Sequence, residues 1–575
     1  PECESLGLIK MDFLGLDTLD IIENTLNNIK LSGKPVPDLH AIIHGNMDDP
    51  KTFKMLQRGD TVGIFQLGGA GVRDLLKRMK PTRFLDIAAT TALYRPGPMK
   101  MNSHIQYADR KNGREKITYI SSEFENSEVL KNILKDTYGL VLYQEQCMQI
   151  AHLFAGMSSY ESDQLRKAIG KKKMKLMLKL QPKFIAGVVA QGYSEEAANE
   201  LWNTIEVFGR YGFNKSHSIS YAINAYKTCY LKANYPVEFM SALIQQNTGD
   251  PTKLVQFLQE AISMGIKVGP VDINNSQVAV SPAQKDSKFG IVFGFAGVKQ
   301  LSEGLAQAIV DERNKNGRFK SVGDFVQRLT PTGLLGASKL VNLALSGAFD
   351  EFDVTRKAVV DKASNLIDVV QKENNKPARS LFDMFGGDDN VSLIDSINLK
   401  EPEYSYNEKI KNEADCIGMF LSGHPIQNLG LVAKAFNAVS IADIKAGKVT
   451  GTHNILGTFT EIVSKTRKNG AKSVAVRIDD STGYIDAYLP KNIVNRLEKG
   501  AEIARVKKAK AHHKEVIVGG KSKRAELIRN LYYDESIKPL APLITNDAYA
   551  LHVRVTNRND SIRLTVLNLV QLHPT

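Results

Sequence analysis

The chain is poor in cysteine, and its few thiols are not arranged to bind a metal or to build a disulfide framework. Four cysteines occur in 575 residues: Cys3, Cys147, Cys229 and Cys416. They lie far apart in apolar or helical contexts, and no CxxC pair is present, so the sequence supports neither a zinc site nor paired disulfides. Reduced thiols in a cytoplasmic protein are the natural interpretation.

Long apolar runs are also missing. No run reaches the roughly 18 residues that a membrane-spanning helix needs, and the visible start has no signal peptide. We therefore expect no membrane partner. The chain begins at Pro1 without an initiator methionine, so we also expect an earlier part of the first domain to precede it.

Acidic residues are outnumbered by basic ones. Lys and Arg total 75 against 62 for Asp and Glu, which gives a formal net charge of +13 and a pI near 9.2. This excess favours a polyanionic partner such as nucleic acid. The alternative is a basic surface without a specific partner. A soluble chain of this length is expected to form about three to five domains.

The sequence also has few carboxylates in a context that suits a metal ion. Asp12 lies in the apolar frame 7–16 and precedes a predicted helix from 18 to about 28. A carboxylate at the end of a short apolar strand is a common metal ligand, but two-metal chemistry needs two or three of them. We find only Asp12 in such a context, so the sequence by itself predicts an incomplete metal site.

Apolar residues recur at three- and four-residue spacing from about 31 to 269, which predicts a mainly helical region. A capping box of Ser158 and Glu161 is expected to begin one helix, which would bury Leu165, Ala168 and Ile169. In the helix that ends at Pro236, we expect Lys227 and Lys232 to lie off the apolar stripe. That stripe consists of Ile219, Ile223, Tyr226 and Tyr230.

The period changes to two after about 441, where a hairpin with a turn at 480–483 indicates a small β-barrel or sandwich. One face of this hairpin carries Val474, Val476, Ile478, Ile485, Ala487 and Leu489. Short helices and turns are expected over 270–352, an exposed linker over 372–389, and a helix within 401–424. A strand at 548–555 should lead into a further helix or strand at the chain end.

Five stretches of the helical region combine basic, aromatic and glycine residues: 63–83, 93–99, 136–146, 165–173 and 211–217. Fixed Arg and Lys groups compensate phosphate charge and aromatic faces support a base, so these stretches suit a nucleotide site. Two simpler interpretations stay open: Lys171–173 as a solvated helix end, and His217 as a hydrogen-bonded structural histidine.

The segments together resemble the alpha subunit of bacterial DNA polymerase III, the family C replicative polymerase. The matching motifs are at 10–16, 63–66, 94–98, 143–146, 170–173 and 211–217. The resemblance covers nearly the whole chain. It implies that the end of the palm (1–28) precedes helical fingers (29–269) and a helix-hairpin-helix and clamp-binding region (270–360). These regions are followed by a linker with a clamp motif (361–400), a helical lead-in (401–440), an OB-fold domain (441–540) and the start of a truncated C-terminal domain (541–575).

The resemblance assigns roles to single residues. Asp12 matches a metal-binding and catalytic carboxylate of the palm, and Lys10 a lysine near the nucleotide phosphates. Arg166 and Lys167 match a basic pair on the fingers that binds the triphosphate. The family usually has two arginines there, so Lys167 keeps the charge without the bidentate geometry. The remaining nucleotide-binding candidates are Lys171, Arg95, Asn214, Lys215 and His217.

Three further regions are expected to bind partners. The helix-hairpin-helix turn at 299–302 lacks its usual glycines, which hinders close approach to DNA, although Lys299 supplies charge. The stretch 381–385 aligns with the family's sliding-clamp motif, where Leu381, Met384 and Phe385 would bind the clamp. The OB-fold domain would bind single-stranded template through Lys465, Arg467, Lys468 and Lys472.

The expected function is therefore template-directed transfer of deoxynucleotides to a primer 3′ end, with two Mg²⁺ ions in the complete enzyme. Expected partners are primer–template DNA, deoxynucleoside triphosphates, the sliding clamp, and the clamp-loader and proofreading subunits, at the nucleoid of a bacterial cytoplasm. The alternative is a non-catalytic scaffold that binds DNA and the clamp, because one carboxylate cannot hold two metals. An unrelated hairpin-containing nuclease or ligase is disfavoured, since no second acidic cluster is present.

Overall fold

The chain forms two compact units, 1–246 and 247–575. The computed structural model describes residues 7, 15–170, 174–209, 212–284, 287–374, 394, 397–426, 436–466, 472–496, 517–518, 521–522, 548–558 and 561–572. Helices dominate the first unit, and the second combines helices with a closed β-barrel. The predicted fold class is thereby confirmed. The division at 246/247 precedes the boundary expected at 269/270, because helix 251–263 folds with the second unit.

The first unit is built from short helices joined by tight turns. Its described α-helices are α1 (Asp17–Leu31), α2 (Leu39–His44), α3 (Pro50–Arg58), α4 (Ala70–Met79), α5 (Phe84–Leu93), α6 (Pro96–Lys100), α7 (Ser103–Lys111), α8 (Glu128–Leu134), α9 (Gln144–Gln149), α10 (Ser159–Gly170), α11 (Met174–Val189), α12 (Glu195–Gly209), α13 (Lys215–Asn234) and α14 (Pro236–Gln246). Ser122–Asn126 and Lys135–Thr137 are 3₁₀ turns, and Ile150–Phe154 is a π-helical turn.

Helix α10 begins as the sequence predicts. The Ser158 hydroxyl accepts from the Glu161 amide at 3.3 Å, and the Glu161 carboxylate accepts from the Ser158 amide at 3.0 Å. These reciprocal bonds satisfy backbone donors that a helix start leaves open. Leu165 and Ala168 are buried, as expected. The side chain of Ile169 lies outside the described residues.

Helix α13 buries a different face from the predicted one. Ile219, Ile223 and Tyr230 are only half-buried, and Tyr226 is the one residue of the expected stripe that is buried. The buried positions are Ser218, Ala222, Ala225, Tyr226, Thr228, Cys229, Leu231 and Lys232. Small side chains let α13 lie close to α3 and α5, and this packing outweighs the hydrophobic pattern. Lys232, which was expected to lie off the apolar stripe, is buried.

The second unit contains helices, a small three-stranded sheet and the barrel. The described helices are α15 (Pro251–Ser263), α16 (Glu303–Asn316), α17 (Val322–Leu329), α18 (Ala337–Leu345), α19 (Arg356–Asn374), α20 (Tyr406–Ile417) and α21 (Ile441–Lys445). Phe295–Gly297 and Thr330–Thr332 are 3₁₀ turns. In the small sheet, β3 (Ile291–Val292) lies between β1 (Val268–Gly269), to which it is parallel, and β2 (Ser281–Pro282).

A buried carboxylate joins the helices of the second unit to the segment before the barrel. Glu413 of α20 accepts from the amides of Leu421 at 2.9 Å and Ser422 at 2.7 Å. The buried guanidinium of Arg356 lies 3.3 Å from the same carboxylate and also pairs with Asp350. Both charges are compensated, so their burial is tolerated.

The barrel consists of five strands in the spatial order β10-β6-β5-β4-β9. They are β4 (Gly451–Thr466), β5 (Lys472–Asp479), β6 (Tyr484–Leu489), β9 (Ala548–Arg558) and β10 (Ser561–Gln571); β7 (Ile517–Val518) and β8 (Lys521–Ser522) form a separate pair. Only the β10–β6 pairing is parallel. A closed five-stranded barrel is consistent with an OB-fold.

The predicted hairpin is confirmed, but the predicted end of the barrel domain is not. Val476 pairs with Ala487 and Ile478 with Ile485, and all four side chains are buried. The boundary expected at 540 would separate β9 and β10 from the barrel. Instead, β9 pairs with β4 and β10, and β10 pairs with β6, so 548–571 completes the barrel. Pairing between distant strands is not encoded in local alternation.

Candidate functional site

A pocket of about 310 Å³ opens in the first unit where three of the five predicted segments meet. Its wall combines aromatic rings, apolar side chains, hydroxyls and one guanidinium. The lining residues are Gln66, Leu67, Val72, Thr90, Thr91, Tyr94, Arg95, Phe213, His217 and Tyr221. A mostly apolar concavity with a few convergent polar groups is typical of a small-molecule site.

Arg95 supplies the positive charge of this pocket. It precedes α6, whose first turn is Pro96–Gly97–Pro98, so its backbone is extended and held by the adjoining proline. The centre of its guanidinium lies 4.2 Å from the centroid of the Phe213 ring. Burial lowers the pKa of Arg95, although a guanidinium stays charged in proteins. Arg95 was a nucleotide-binding candidate from the sequence, and the structure places it in the wall of this pocket.

A ladder of aromatic rings continues the wall from Phe213. On α13, the His217 ring lies 5.3 Å from Phe213 and 4.2 Å from Tyr221. Phe65 continues the ladder by stacking on Tyr221 at 5.6 Å. Positions four apart on a helix share a face, so His217 and Tyr221 present their rings on one side. Such a wall can hold a flat heterocycle by stacking.

The start of α13 is held by the third segment. Asn214 caps the helix, since its side chain accepts from the His217 amide at 2.8 Å. Glu145 binds the same turn, because its carboxylate accepts hydrogen bonds from Asn214 Nδ2 and from the Lys215 amide, both at 2.9 Å. The Lys215 ammonium lies 5.8 Å from the Tyr143 ring. These contacts fix His217 relative to the pocket.

Tyr143 is part of the structural support for this turn. Its hydroxyl is buried, which raises the pKa of Tyr143 to about 12, while a hydrogen bond with Ser218 acts in the opposite direction. The Gln144 amide donates to the Phe213 carbonyl at 3.0 Å. The third and fifth segments are therefore joined by backbone and side-chain bonds.

In its described residues, 165–170, the fourth segment does not line the pocket. Arg166 and Lys167 both lie on α10, which packs against α9. Both cations bind the carboxylate of Asp163, each at 2.8 Å, and these bonds lower the pKa of Asp163. The single carboxylate of Asp163 therefore compensates one of the two positive charges within the same helix. The motifs did not predict this contact.

Comparison with known proteins places the chain in a family. Residues 18–192 match the model described as the finger domain of the bacterial DNA polymerase III alpha subunit, and 265–359 match a helix-hairpin-helix motif. The DNA polymerase III subunit alpha of Saccharopolyspora erythraea is 36% identical over 502 residues, 86% of this chain and 41% of that protein. The protein of that name from Thermus aquaticus is 34% identical over 571 residues, 96% of this chain and 45% of that protein.

This chain belongs to the bacterial DNA polymerase III alpha-subunit family. It spans less than half the length of the relatives it matches, since it covers 41% and 45% of the two named above. The family resemblance seen in the motifs is confirmed. Three of those motifs, at 63–66, 94–98 and 211–217, meet at the pocket.

Several predicted site residues of this alpha-subunit chain lie outside the described residues. They are Lys10, Asp12, Lys171, Leu381, Met384, Phe385, Arg467 and Lys468. Lys465 and Lys472 belong to β4 and β5, but their side chains are not described. Within the described ranges, no group of three or more His, Cys, Asp or Glu side chains could hold a metal ion.

The hairpin that the alpha-subunit resemblance assigns to DNA contact is tied to neighbouring helices. Lys299 has an exposed side chain, but its amide donates to the Cys416 carbonyl of α20 at 3.0 Å. Gln300 adopts a left-handed backbone with φ of 64°, and its side chain accepts from Ser338 at 2.8 Å and Asn342 at 3.1 Å. The Lys299 amide is therefore engaged within the chain, and its ammonium is the part that faces solvent.

The barrel of the alpha-subunit chain presents a mixed surface on β5 and β6. Tyr488 is 49% exposed and pairs across the sheet with Ala475. Arg477 bonds Asp486 at 2.9 Å and lies 5.4 Å from the Tyr484 ring. In OB-folds the second and third strands form the ligand-binding face. Tyr488 lies on the third strand of this barrel.

Three pocket-lining residues lie outside the predicted segments: Thr90, Thr91 and Tyr221. Ser218 donates to the Ala88 carbonyl at 2.6 Å and lies 3.0 Å from the Thr91 hydroxyl, which links α13 to α5. The four-residue spacing from His217 could have found Tyr221. No local sequence pattern identifies Thr91 as a pocket residue, because its position in the wall depends on how α5 packs.

No helix in the described part of the chain combines the length and apolarity that crossing a bilayer requires.

Proposed function

We propose that the chain forms the fingers and OB-fold part of a template-directed DNA polymerase, and that the pocket around His217 binds a deoxynucleotide. The bound group would be an incoming triphosphate or the primer end. The observation that carries this proposal is the meeting of Arg95 with the ladder of Phe213, His217 and Tyr221. A base would stack on the rings while the guanidinium offsets phosphate charge.

Two Mg²⁺ ions are proposed for the complete enzyme, with Asp12 as one ligand and Lys10 near the phosphates. Arg166, Lys167 and Lys171 would offset further triphosphate charge. Because Asp163 holds both Arg166 and Lys167, a phosphate would have to compete with that carboxylate. The metals would supply Lewis-acid stabilisation of the transferring phosphoryl group.

Isothermal titration calorimetry with dATP tests the pocket directly. We expect a dissociation constant between about 1 µM and 1 mM, the range common for enzyme substrates. Deoxyadenosine and inorganic tripolyphosphate should each bind at least tenfold more weakly, because each engages only the rings or only the cations. Equal binding of tripolyphosphate and dATP would contradict a role for the aromatic wall, and absence of dATP binding would contradict the site.

The second unit is proposed to bind DNA. Lys299 would contribute charge beside duplex phosphates, and the basic residues Lys465, Arg467, Lys468 and Lys472 would lie along the single-stranded template. Tyr488 adds an aromatic surface beside Arg477 on the strand face that OB-folds use. Such binding should weaken steeply with salt, because phosphate contacts release counterions.

Replacing Tyr488 by alanine should weaken binding to a dT oligonucleotide by roughly 5- to 150-fold, since stacking of one base on an aromatic ring contributes about 1–3 kcal/mol. Fluorescence anisotropy of the full chain measures this. Tyr160→Ala is the matched control, because Tyr160 is also exposed (71%) but lies on α10. If both variants bind like the unmodified chain, Tyr488 is not part of the template path.

The remaining partner assignments are proposals from the family. The stretch with Leu381, Met384 and Phe385 would bind the sliding clamp, and clamp-loader and proofreading subunits would join the holoenzyme. The bacterial cytoplasm, at the nucleoid during replication, is the proposed location. A scaffold that binds DNA and clamp without catalysis is the second candidate, favoured by Asp12 being the only carboxylate in a metal-binding context. Primer extension by this chain with Mg²⁺ would exclude it.

A further inference from the structure

Lys232 is buried although it carries a charge. Only 1% of the residue is exposed, near the end of α13. Its ammonium donates to the carbonyls of Asp60 at 3.0 Å and Val62 at 2.8 Å. A buried ammonium is costly unless its donors are satisfied, so this position requires the two carbonyls where they are. Lys232 therefore determines where the chain runs after α3.

The segment that Lys232 holds is the turn from Asp60 to Leu67, which carries part of the pocket wall. Lys232 and Tyr221 are eleven residues apart, or about 16 Å along the helix and close to three full turns. Both therefore lie on nearly the same face of α13. The turn contacts this face at two points, the ammonium of Lys232 and the Tyr221 ring, on which Phe65 stacks.

Internal bonds make this turn rigid. The Thr61 hydroxyl donates to the Leu67 carbonyl at 2.6 Å, and the Ile64 and Leu67 amides donate to Thr61 at 3.1 Å and Ile64 at 3.2 Å. Gly63 has φ of +79°, and a Cβ there would lie 2.3 Å from Leu243 Cδ2. A rigid turn moves as a unit, so displacement at Asp60–Val62 shifts Phe65, Gln66 and Leu67.

We infer that Lys232 is a positioning residue for the nucleotide pocket, acting through the turn 60–67. This inference rests on the proposed function of that pocket. Lys232 is not one of the lining residues named above, and it acts by holding the backbone that presents Gln66 and Leu67 to the pocket and Phe65 to Tyr221. Residue 232 must supply N–H donors, because the two carbonyls need hydrogen-bond partners in a site closed to water.

Lys232→Met keeps the unbranched side chain and removes the donors. We expect dATP to bind at least about tenfold more weakly, because small displacements of a binding group cost large factors in affinity. Amide hydrogen exchange at Ile64 and Leu67 should be at least about tenfold faster, while exchange within the first turns of α13 stays unchanged. Lys227→Met is the matched control on the same helix and should alter neither quantity.

Three results are separable in this experiment. If the turn exchanges faster in Lys232→Met but dATP affinity is unchanged at a temperature well below unfolding, Lys232 is structural and the inference is wrong. Unchanged exchange at Ile64 and Leu67 also overturns it. If the unmodified chain binds no dATP, the proposed function fails, and the exchange data alone decide whether Lys232 holds the turn.

A second variant covers the case in which Lys232→Met does not fold. Gly63→Ala disturbs the same turn from the opposite side, through its left-handed backbone and its proximity to Leu243. It leaves the Lys232 ammonium and its acceptors in place. Weaker dATP binding by Gly63→Ala, with α13 unchanged by hydrogen exchange, supports control of the pocket by the turn. Unaltered affinity with faster exchange of the turn contradicts it.

Discussion

Replacing Arg95 by alanine is expected to weaken dATP binding by roughly 10- to 150-fold, because a hydrogen bond to a charged group contributes about 1.5–3 kcal/mol. Arg95 is the only cation among the pocket-lining residues. Its removal also uncovers the Phe213 ring, over which the guanidinium now lies at 4.2 Å. Calorimetric titration with dATP measures the loss.

Two comparisons show whether this loss comes from the pocket. Arg95→Lys keeps a positive charge without the planar group, so it should recover part of the affinity but not all. Arg114→Ala removes an arginine of the same unit that pairs with Asp109 at 2.8 Å and does not line the pocket. If Arg114→Ala weakens dATP binding as much as Arg95→Ala does, the loss of affinity comes from the lower net charge of the chain and not from the pocket.

Replacing Glu413 by alanine is expected to destabilise the second unit by about 3–5 kcal/mol, the usual cost of breaking a buried ion pair from one side. Glu413 is fully buried, and its loss leaves the Arg356 guanidinium, 5% exposed, without that partner. The Leu421 and Ser422 amides also lose their acceptor. Hydrogen exchange of the full chain over 406–426 should be faster by about two orders of magnitude or more.

The control for Glu413 lies on the same helix. Glu408 is exposed and forms a capping box with Ser405 at the start of α20. Glu408→Ala removes a carboxylate that water can replace, so exchange over 418–426 should stay close to that of the unmodified chain. A small effect of Glu413→Ala, similar to that of Glu408→Ala, would show that the segment 421–424 is held by apolar packing instead.

Features that depend on local pattern were predictable from the sequence. Ser158 and Glu161 are three residues apart, which is the spacing of a capping box, and the structure contains both bonds. The alternation around Val476 and Ile485 predicted the hairpin because a strand turns alternate residues to one face. The extended backbone of Arg95 follows from Pro96, since a residue before proline is biased away from the helical region.

Features that depend on the approach of distant segments were not predictable. The apolar stripe predicted for α13 is not its buried face. Ala222 and Ala225 allow close helix packing, which a hydrophobicity pattern does not register. Lys232 was expected to lie off the apolar stripe, yet it is buried, and the carbonyls that compensate it lie about 170 residues earlier. The barrel extended beyond 540 because its last two strands find partners far back in the chain.

The sequence by itself determined the family, the order of helical and β regions, the basic balance, and the set of motifs from which the pocket is built. Those properties reside in residue types and short spacings. Only the tertiary structure decided which motifs meet, that Arg95 lies over Phe213, and that Lys232 faces inward. These depend on packing between residues remote in sequence, where the free energy of burial is shared among many partners and no single segment specifies it.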